Sequence, residues 1–150
     1  MKFKPMGWLG LALLAAWAGS AQAQLADKAA AQAMVAKGVA AIQAEGWKAL
    51  VEMTAPRKTY VDRDLYLAVY DMQGRCKAHG QNPKQVAKGL MTIKDVDGTE
   101  YVRERVNLAL KQKTFWQEYK VTNPVTKAVQ AKLAYCERVG DLIVCGGIYK

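Results

Sequence analysis

LYLAVYDMQGRCKAH, residues 65–79, is the stretch that decides the fold. Its first part, Leu65–Tyr70, is rich in strand-forming residues, and successive side chains of a strand point to opposite faces. Asp71–Gly74 then provides a turn, with glycine where the backbone needs a positive φ. Arg75–His79 is the returning strand, so the stretch predicts a β-hairpin. The two faces of its first strand carry Tyr66, Ala68 and Tyr70 on one side and Leu65, Leu67 and Val69 on the other.

The sequence before this hairpin has a helical pattern. Residues 25–54 are rich in alanine, and a set of their apolar residues recurs at helical spacing. The members of this set are Val35, Val39, Ile42, Ala49 and Leu50. Gly38 and Gly46 each weaken a helix by about 1 kcal/mol relative to alanine. The pattern predicts one long N-terminal helix, bent near Gly46 and ended before Pro56.

The second half of the chain predicts a helical crossover and three more strands. Residues 80–98 are rich in turn signals, with short apolar segments that suggest a turn of helix and a segment lying over the sheet. Asp97 and Glu100 have the spacing of a capping box at the start of a helix. One face of that helix carries Val102, Val106, Ala109 and Leu110. The predicted strands that follow are 114–120, 130–139 and 142–149. The expected fold is α+β, with a five-stranded antiparallel sheet.

The first 23 residues have the order of a secretory signal peptide. Lys2 and Lys4 precede an uncharged apolar run, and Ala21-Gln22-Ala23 supplies the small residues that a cleavage site needs. The run is shorter than the roughly 20 apolar residues that span a bilayer. We therefore expect cleavage after Ala23, export to the periplasm, and one mature domain, residues 24–150, without a membrane span.

The chain is basic, with 22 Lys and Arg against 13 Asp and Glu and a formal net charge of +9. Only Lys2 and Lys4 of these lie in the predicted signal peptide, so the mature domain is basic as well. Its basic residues are scattered along the chain, which argues against nucleic acid as a partner. A surface that attracts small anions and a solvated basic surface without a partner both fit this charge.

Three cysteines in an exported protein allow one disulfide and leave one thiol. With Gly140-Asp141 as a two-residue turn, Cys136 faces Cys145 in a non-hydrogen-bonded pair, where cross-strand side chains come closest. This register predicts a Cys136–Cys145 disulfide. A one-residue bulge would undo the register, and three reduced, buried cysteines are the alternative. Cys76 is then a buried thiol or the link of a dimer.

Several short sequence motifs follow one another through the mature domain. They are Tyr60-Val61-Asp62-Arg63-Asp64-Leu65-Tyr66, Ala78-His79-Gly80, Asn82-Pro83-Lys84, Lys94–Gly98, Trp116–Lys120, Asn123–Thr126, Lys132–Val144 and Gly147–Lys150. With these motifs in this order, the chain resembles the single Cache domain family of extracytoplasmic sensor modules. The resemblance covers residues 25–150.

This resemblance implies a PAS-like sheet with the long N-terminal helix packed on it, and a small-molecule pocket between the sheet and the overlying loops. Members of the family are input domains of chemoreceptors and sensor kinases, and they often bind short-chain carboxylates. No transmembrane helix or signalling region follows the domain in this chain. We therefore expect a free-standing version that binds its ligand and reports to a membrane sensor, forms a homodimer, or only binds.

Candidate binding residues follow from the chemistry of a carboxylate ligand, which needs one or two cationic donors and tyrosine or backbone donors in an apolar pocket. Lys132, three residues before Tyr135 on a predicted strand, is the first candidate for charge recognition. The candidates for shape and hydrogen bonding are Tyr119, Trp116, Tyr70, His79 and Tyr135. Met91 and Ile93 are candidates for an apolar lid. Core packing of the aromatic residues and a surface position for the lysine are the alternatives.

The sequence offers no recognisable catalytic or metal site. His79 is the single histidine, and Cys76, three residues away on a predicted strand, points to the opposite face. Zinc-ligand spacing, a complete haem-attachment motif and a phosphate-binding glycine loop are all missing. We expect a binding protein without a cofactor and not an enzyme. An interaction protein that keeps the fold without a pocket, and a thiol redox protein, are the alternatives.

Overall fold

The computed structural model describes residues 25–54, 59–123 and 126–150, and the predicted signal peptide lies outside these ranges. Within them, three helices and six strands follow one another along the chain. Their order is α1 (Lys28–Glu45), α2 (Trp47–Thr54), β1 (Val61–Asp62), β2 (Leu65–Asp71), β3 (Cys76–His79), α3 (Tyr101–Lys111), β4 (Thr114–Thr122), β5 (Val129–Val139) and β6 (Leu142–Tyr149). The predicted turn of helix after the first hairpin is a 3-10 turn at Pro83–Gln85.

The strands form one antiparallel sheet in the order β1-β2-β6-β5-β4, with β3 also paired to β2. The predicted α+β fold is confirmed. The sheet has one strand more than the five expected, because β1 and β3 share one edge of β2. Tyr66 of β2 pairs with Val61, and Ala68 of β2 pairs with His79.

The N-terminal helical region is two helices, separated at the glycine where a bend was expected. Gly46 has φ 59°, a conformation that favours glycine, and its N–H donates to the carbonyl of Ile42 at 2.9 Å. The carboxylate of Asp27 accepts the N–H of Ala30 at 2.8 Å and caps the start of α1. The pair of helices covers one face of the sheet.

The prediction of a capping box at Asp97 and Glu100 is wrong. Glu100 occupies the cap position of α3, but its side chain makes no capping hydrogen bond. Asp95 organises the preceding turn instead, since its Oδ1 accepts the N–H groups of Asp97 and Thr99 at 3.0 and 2.9 Å. An aspartate that folds back on the backbone two residues ahead favours a turn over a helix start.

The β5–β6 hairpin has the register that the two-residue turn predicts. Cys136 pairs with Cys145, and the two form a disulfide with a Cα–Cα distance of 4.1 Å. This confirms the predicted bridge. Cys76 is fully buried, which favours a buried thiol over the link of a dimer, and burial raises the pKa of this thiol to about 11. The buried, protonated thiol disfavours a redox role as well.

The two faces of the sheet are covered by different elements. α1 and α2 pack on the face that carries the odd-numbered residues of β2, where the core contains Val35, Val39, Leu65, Leu67, Val69 and Val144. α3 and the segment before it pack on the other face, together with the disulfide. None of the helices in the described ranges is long and apolar enough to cross a membrane.

Candidate functional site

A small cavity of about 80 Å³ lies on the sheet face that α3 covers. Its floor includes Ala68 and Ala134, which leave space because their side chains are short. Its polar wall consists of Arg105, Lys132 and His79 together with the tyrosines Tyr66, Tyr70, Tyr101 and Tyr119. A strand exposes alternate residues on each face, so one residue parity of each long strand supplies the lining.

Arg105 extends from α3 to the cavity and is only 1% exposed. Its guanidinium carbon lies 5.0 Å from the centroid of the Tyr70 ring and 5.2 Å from that of Tyr119. Burial acts to lower the pKa of Arg105, but the surrounding tyrosines raise it overall, so the side chain stays charged. Its Nη2 atom is buried without a hydrogen-bond partner among the residues that the structure describes. An unpartnered cationic donor in a cavity is a ready contact for an anion.

Gln117 fixes the orientation of this guanidinium. Its Oε1 accepts the Nε–H of Arg105 at 3.0 Å, and its Nε2 donates to the carbonyl of Tyr101 at 2.8 Å and to Oε2 of Glu104 at 3.1 Å. Both ends of the buried amide are thereby committed. The bond at Nε leaves the Nη2 donor of Arg105 for a ligand.

Lys132 is the second cation of the cavity and is 2% exposed. Its Nζ lies 3.9 Å from the centroid of the Tyr66 ring and 4.8 Å from that of Tyr149. Burial lowers the pKa of Lys132 to about 7, and the charge of Arg105 acts in the same direction. In the described part of the chain, no acidic side chain forms an ion pair with either cation.

Gly147 allows the stem of Lys132 to lie across the sheet. A Cβ atom at Gly147 would stand 2.6 Å from Cε of Lys132 and 3.4 Å from its Cδ. A side chain there would displace the lysine, because real Cβ contacts of that length do not occur. The glycine therefore sets the path by which the amine reaches the cavity.

His79 contributes a neutral donor. Its Nδ1 accepts the N–H groups of Gln81 and Asn82 at 3.3 and 2.9 Å, so the ring proton is on Nε2. Burial lowers the pKa of His79 to about 4, and the nearby cations Lys132 and Arg105 contribute to this shift in the same direction. The imidazole is uncharged at neutral pH and offers an Nε2–H group.

The structure brings four of the eight sequence-predicted binding residues to the cavity: Lys132, Tyr119, Tyr70 and His79. Trp116 and Tyr135 lie on the opposite face, where their rings are 5.1 Å apart beside α1. Each is three residues from a cavity residue on its own strand, and that odd spacing reverses the face. Met91 and Ile93 pack in the core under α3, outside the cavity lining.

Sequence reasoning missed Arg105, Gln117, Tyr66 and Tyr101. A signal for Arg105 was present, since it lies three residues after Val102 and four before Ala109, within the apolar face of the α3 sequence. A charged residue inside such a stripe must be buried with its helix face. Gln117 and Tyr66 share strand faces with predicted site residues, but the sequence does not say which face is functional.

The arrangement suits binding of an anion. Buried cations without acidic partners destabilise a folded protein, and an anionic ligand supplies the missing charge. Among the described residues, no group of three or more His, Cys, Asp or Glu side chains is placed to hold a metal ion. The presence of a cavity at this position also disfavours the alternative of an interaction protein that keeps the fold without a ligand pocket.

Comparisons with known proteins agree with the fold. The profile of the family Single Cache domain 2 matches residues 10–149. A methyl-accepting chemotaxis protein of Vibrio parahaemolyticus is 25% identical, with a TM-score of 0.66 over 81% of this chain and 87% of that one. A periplasmic sensor domain of a chemotaxis protein is 20% identical, with a TM-score of 0.61 over 81% and 88% of the two chains.

A third solved structure is a Cache chemosensory domain described for its carboxylic acid recognition. It is 22% identical, with a TM-score of 0.63 over 79% of this chain and 86% of that one. No curated protein sequence matches this chain significantly.

Proposed function

Since the chain belongs to the single Cache domain 2 family, we propose that it is a sensor-type binding domain for a small carboxylate. The observation that carries this proposal is the pair of buried cations, Arg105 and Lys132, at one small cavity. One related domain of the same fold is described for carboxylic acid recognition, which supports the same ligand class.

The size of the cavity limits the ligand. Its volume of about 80 Å³ is about half that of the roughly 150 Å³ cavity that accommodates benzene in another protein. We therefore expect a ligand of about three to five non-hydrogen atoms, the size of acetate or propionate. At about −1.5 kcal/mol per such atom at best, the dissociation constant lies no lower than the micromolar range.

In the complex, each polar wall residue has a distinct role. The Nη2 donor of Arg105, on α3, binds one carboxylate oxygen, and the ammonium form of Lys132, on β5, neutralises the ligand charge. The Nε2–H of His79 and the tyrosine hydroxyls add neutral donors. The short side chains Ala68 and Ala134 face the alkyl end. No covalent bond of the ligand is made or broken, as expected of a binding domain.

Isothermal titration of the mature domain with acetate and propionate tests this function, with acetamide and propionamide as uncharged controls of the same shape. The acids should bind with micromolar to millimolar dissociation constants, and the amides should not bind. The buffer must contain no carboxylate, and sodium chloride at equal ionic strength controls for non-specific anion effects. Absence of binding by every small acid at tens of millimolar would contradict the proposal.

The same proposal places the domain in the periplasm, after cleavage behind Ala23, where it reports its ligand state to a membrane sensor or to a second copy of itself. The basic, apolar and small-residue order of residues 1–23 supports export. N-terminal sequencing of protein from the periplasmic fraction should start at Gln24. An intact Met1 in that fraction would contradict cleavage.

A further inference from the structure

The surroundings of the Lys132 amine are unusual for a lysine. Its Nζ lies against the rings of Tyr66 and Tyr149, and within the described ranges it has neither a hydrogen-bond acceptor nor an ion pair. A buried ammonium has three donors to satisfy, and aromatic faces replace water only in part. The empty site therefore favours the uncharged amine.

A permanent cation shares the cavity with this amine. Arg105 lies beside the Tyr119 ring, and Tyr119 is the direct β4 neighbour of Lys132 across the β4–β5 pair. Like charges in a water-poor site repel each other. Because the guanidinium cannot lose its proton, the lysine is the group that does.

The groups that face Lys132 come from every element around it. They are Tyr66 from β2, His79 from β3, Arg105 from α3, Tyr119 from β4, Tyr149 from β6 and Asp64 from the turn before β2. Asp64 is the opposing charge that acts on Lys132, but its carboxylate accepts the backbone N–H groups of Ala26 and Tyr149 at 2.8 and 3.2 Å. His79 is uncharged at neutral pH and titrates far below the lysine. Among these groups, Lys132 is therefore the one that gains a positive charge when an anion enters the cavity.

We propose that Lys132 couples ligand binding to proton uptake, as an uncharged amine in the empty cavity and an ammonium in the complex. This inference rests on the proposed function, since it requires that a carboxylate occupies the cavity. The entering anion brings the missing negative charge and two acceptor oxygens, which stabilise the ammonium. Where the amine of the empty protein is uncharged, one proton moves from solvent to Nζ for each carboxylate bound, and no covalent bond of the ligand changes.

The coupling has a defined direction. The pKa of Lys132 in the empty protein is about 7, and the ligand raises it. Above that value the complex binds more protons than the free protein, so affinity falls as the pH rises. Between pH 6 and pH 9 the dissociation constant should increase roughly fifty- to hundredfold, if the complex keeps its proton throughout.

Two measurements on the unmodified domain test the proposal with acetate as the probe. Calorimetry in buffers of different ionisation enthalpy should show little proton uptake at pH 6 and close to one proton per acetate at pH 9. NMR of ¹³Cε-labelled lysine should show a resonance that titrates near pH 7 in the free protein and above pH 9 in the acetate complex. Acetate binding without proton uptake at any pH would overturn the coupling and leave the proposed function standing. No acetate or propionate binding at any pH would overturn both.

Lys132→Met and Lys37→Met form a matched pair of variants. Lys37 also lies over a tyrosine ring, with Nζ 4.8 Å from the centroid of Tyr60, but on the helix-covered side and exposed to solvent. Lys132→Met should remove the titrating resonance and make the weak remaining affinity independent of pH from 6 to 9. Lys37→Met should keep the pH dependence of the unmodified domain. Persistence of that dependence in Lys132→Met would assign the proton to another group and overturn the proposal.

Discussion

The two faces of the sheet bury side chains of different chemical character. On the face under α1 and α2, the buried side chains are apolar, as at Val35, Leu67 and Val144. On the face under α3, the three buried polar or charged residues of the described chain lie together: Arg105, Gln117 and Lys132. The same strands supply both faces through alternate residues.

This difference separates stability from binding. Apolar burial under α1 stabilises the fold by roughly 25 cal/mol for each Å² removed from water. The unpaired guanidinium of Arg105 under α3 acts against folding, since desolvation of an unpaired charge is unfavourable, and under the proposed function a bound anion offsets this effect. Substitutions on the two faces should therefore affect different measurements.

Arg105→Met should have the largest effect on binding. Loss of the charge-assisted hydrogen bond from Nη2, at about 1.5–3 kcal/mol, should weaken acetate binding about ten- to hundredfold. The free energy of unfolding should change by no more than about 1 kcal/mol, because removal of a buried unpaired charge offsets the loss of the Gln117 contact. Titration calorimetry and urea unfolding measure the two effects. A variant that binds normally would remove Arg105 from the site.

Leu67→Ala should have the opposite profile. The side chain is fully buried between β2 and α1, where a Cβ at Gly38 would approach its Cδ1 to 2.6 Å. Removal should lower the free energy of unfolding by about 2–5 kcal/mol. The acetate affinity should stay within about twofold of that of the unmodified domain, because Leu67 faces away from the cavity and distant sites act nearly independently. A large loss of affinity in the folded variant would show that the faces are coupled.

Removal of the disulfide by Cys136→Ala with Cys145→Ala should have a smaller effect. A bridge that closes a short loop, here with a sequence separation of 9, contributes about 2–3 kcal/mol. Urea unfolding of the double variant should show this loss, and a reducing agent should bring the unmodified protein to the same level. Equal stability in oxidised and reduced protein would contradict the estimate.

Much of the fold follows from local sequence pattern. Alternation in Leu65–Tyr70 and the turn at Asp71–Gly74 predict a hairpin. The short Gly140-Asp141 turn also predicts the register of its two strands, because turn length fixes which residues face each other. The Cys136–Cys145 bridge follows from that register. β1 was missed because two residues are too short to show any period.

The candidate site was predictable only in part. Residue type alone pointed to Lys132, Tyr119, Tyr70 and His79, which line the cavity. It pointed equally to Trp116 and Tyr135, which lie on the opposite face of the sheet because side chains alternate along each strand. Arg105 lies in α3, and the sequence does not show which face of the sheet that helix covers, so the approach of Arg105 to Tyr70 and Tyr119 depends on how α3 packs.

The sequence by itself determined the strand and helix periods, the register of the Gly140-Asp141 hairpin and the pairing of two cysteines, since these depend on residues close together in the chain. Tertiary structure decided which parity of the strands faces a cavity, because that depends on which helix covers each face. It also decided that Arg105 and Lys132 share the cavity. Their meeting without an acidic partner among the described residues is a property of the packed molecule, since only the packing of α3 on the sheet buries two basic residues in one cavity.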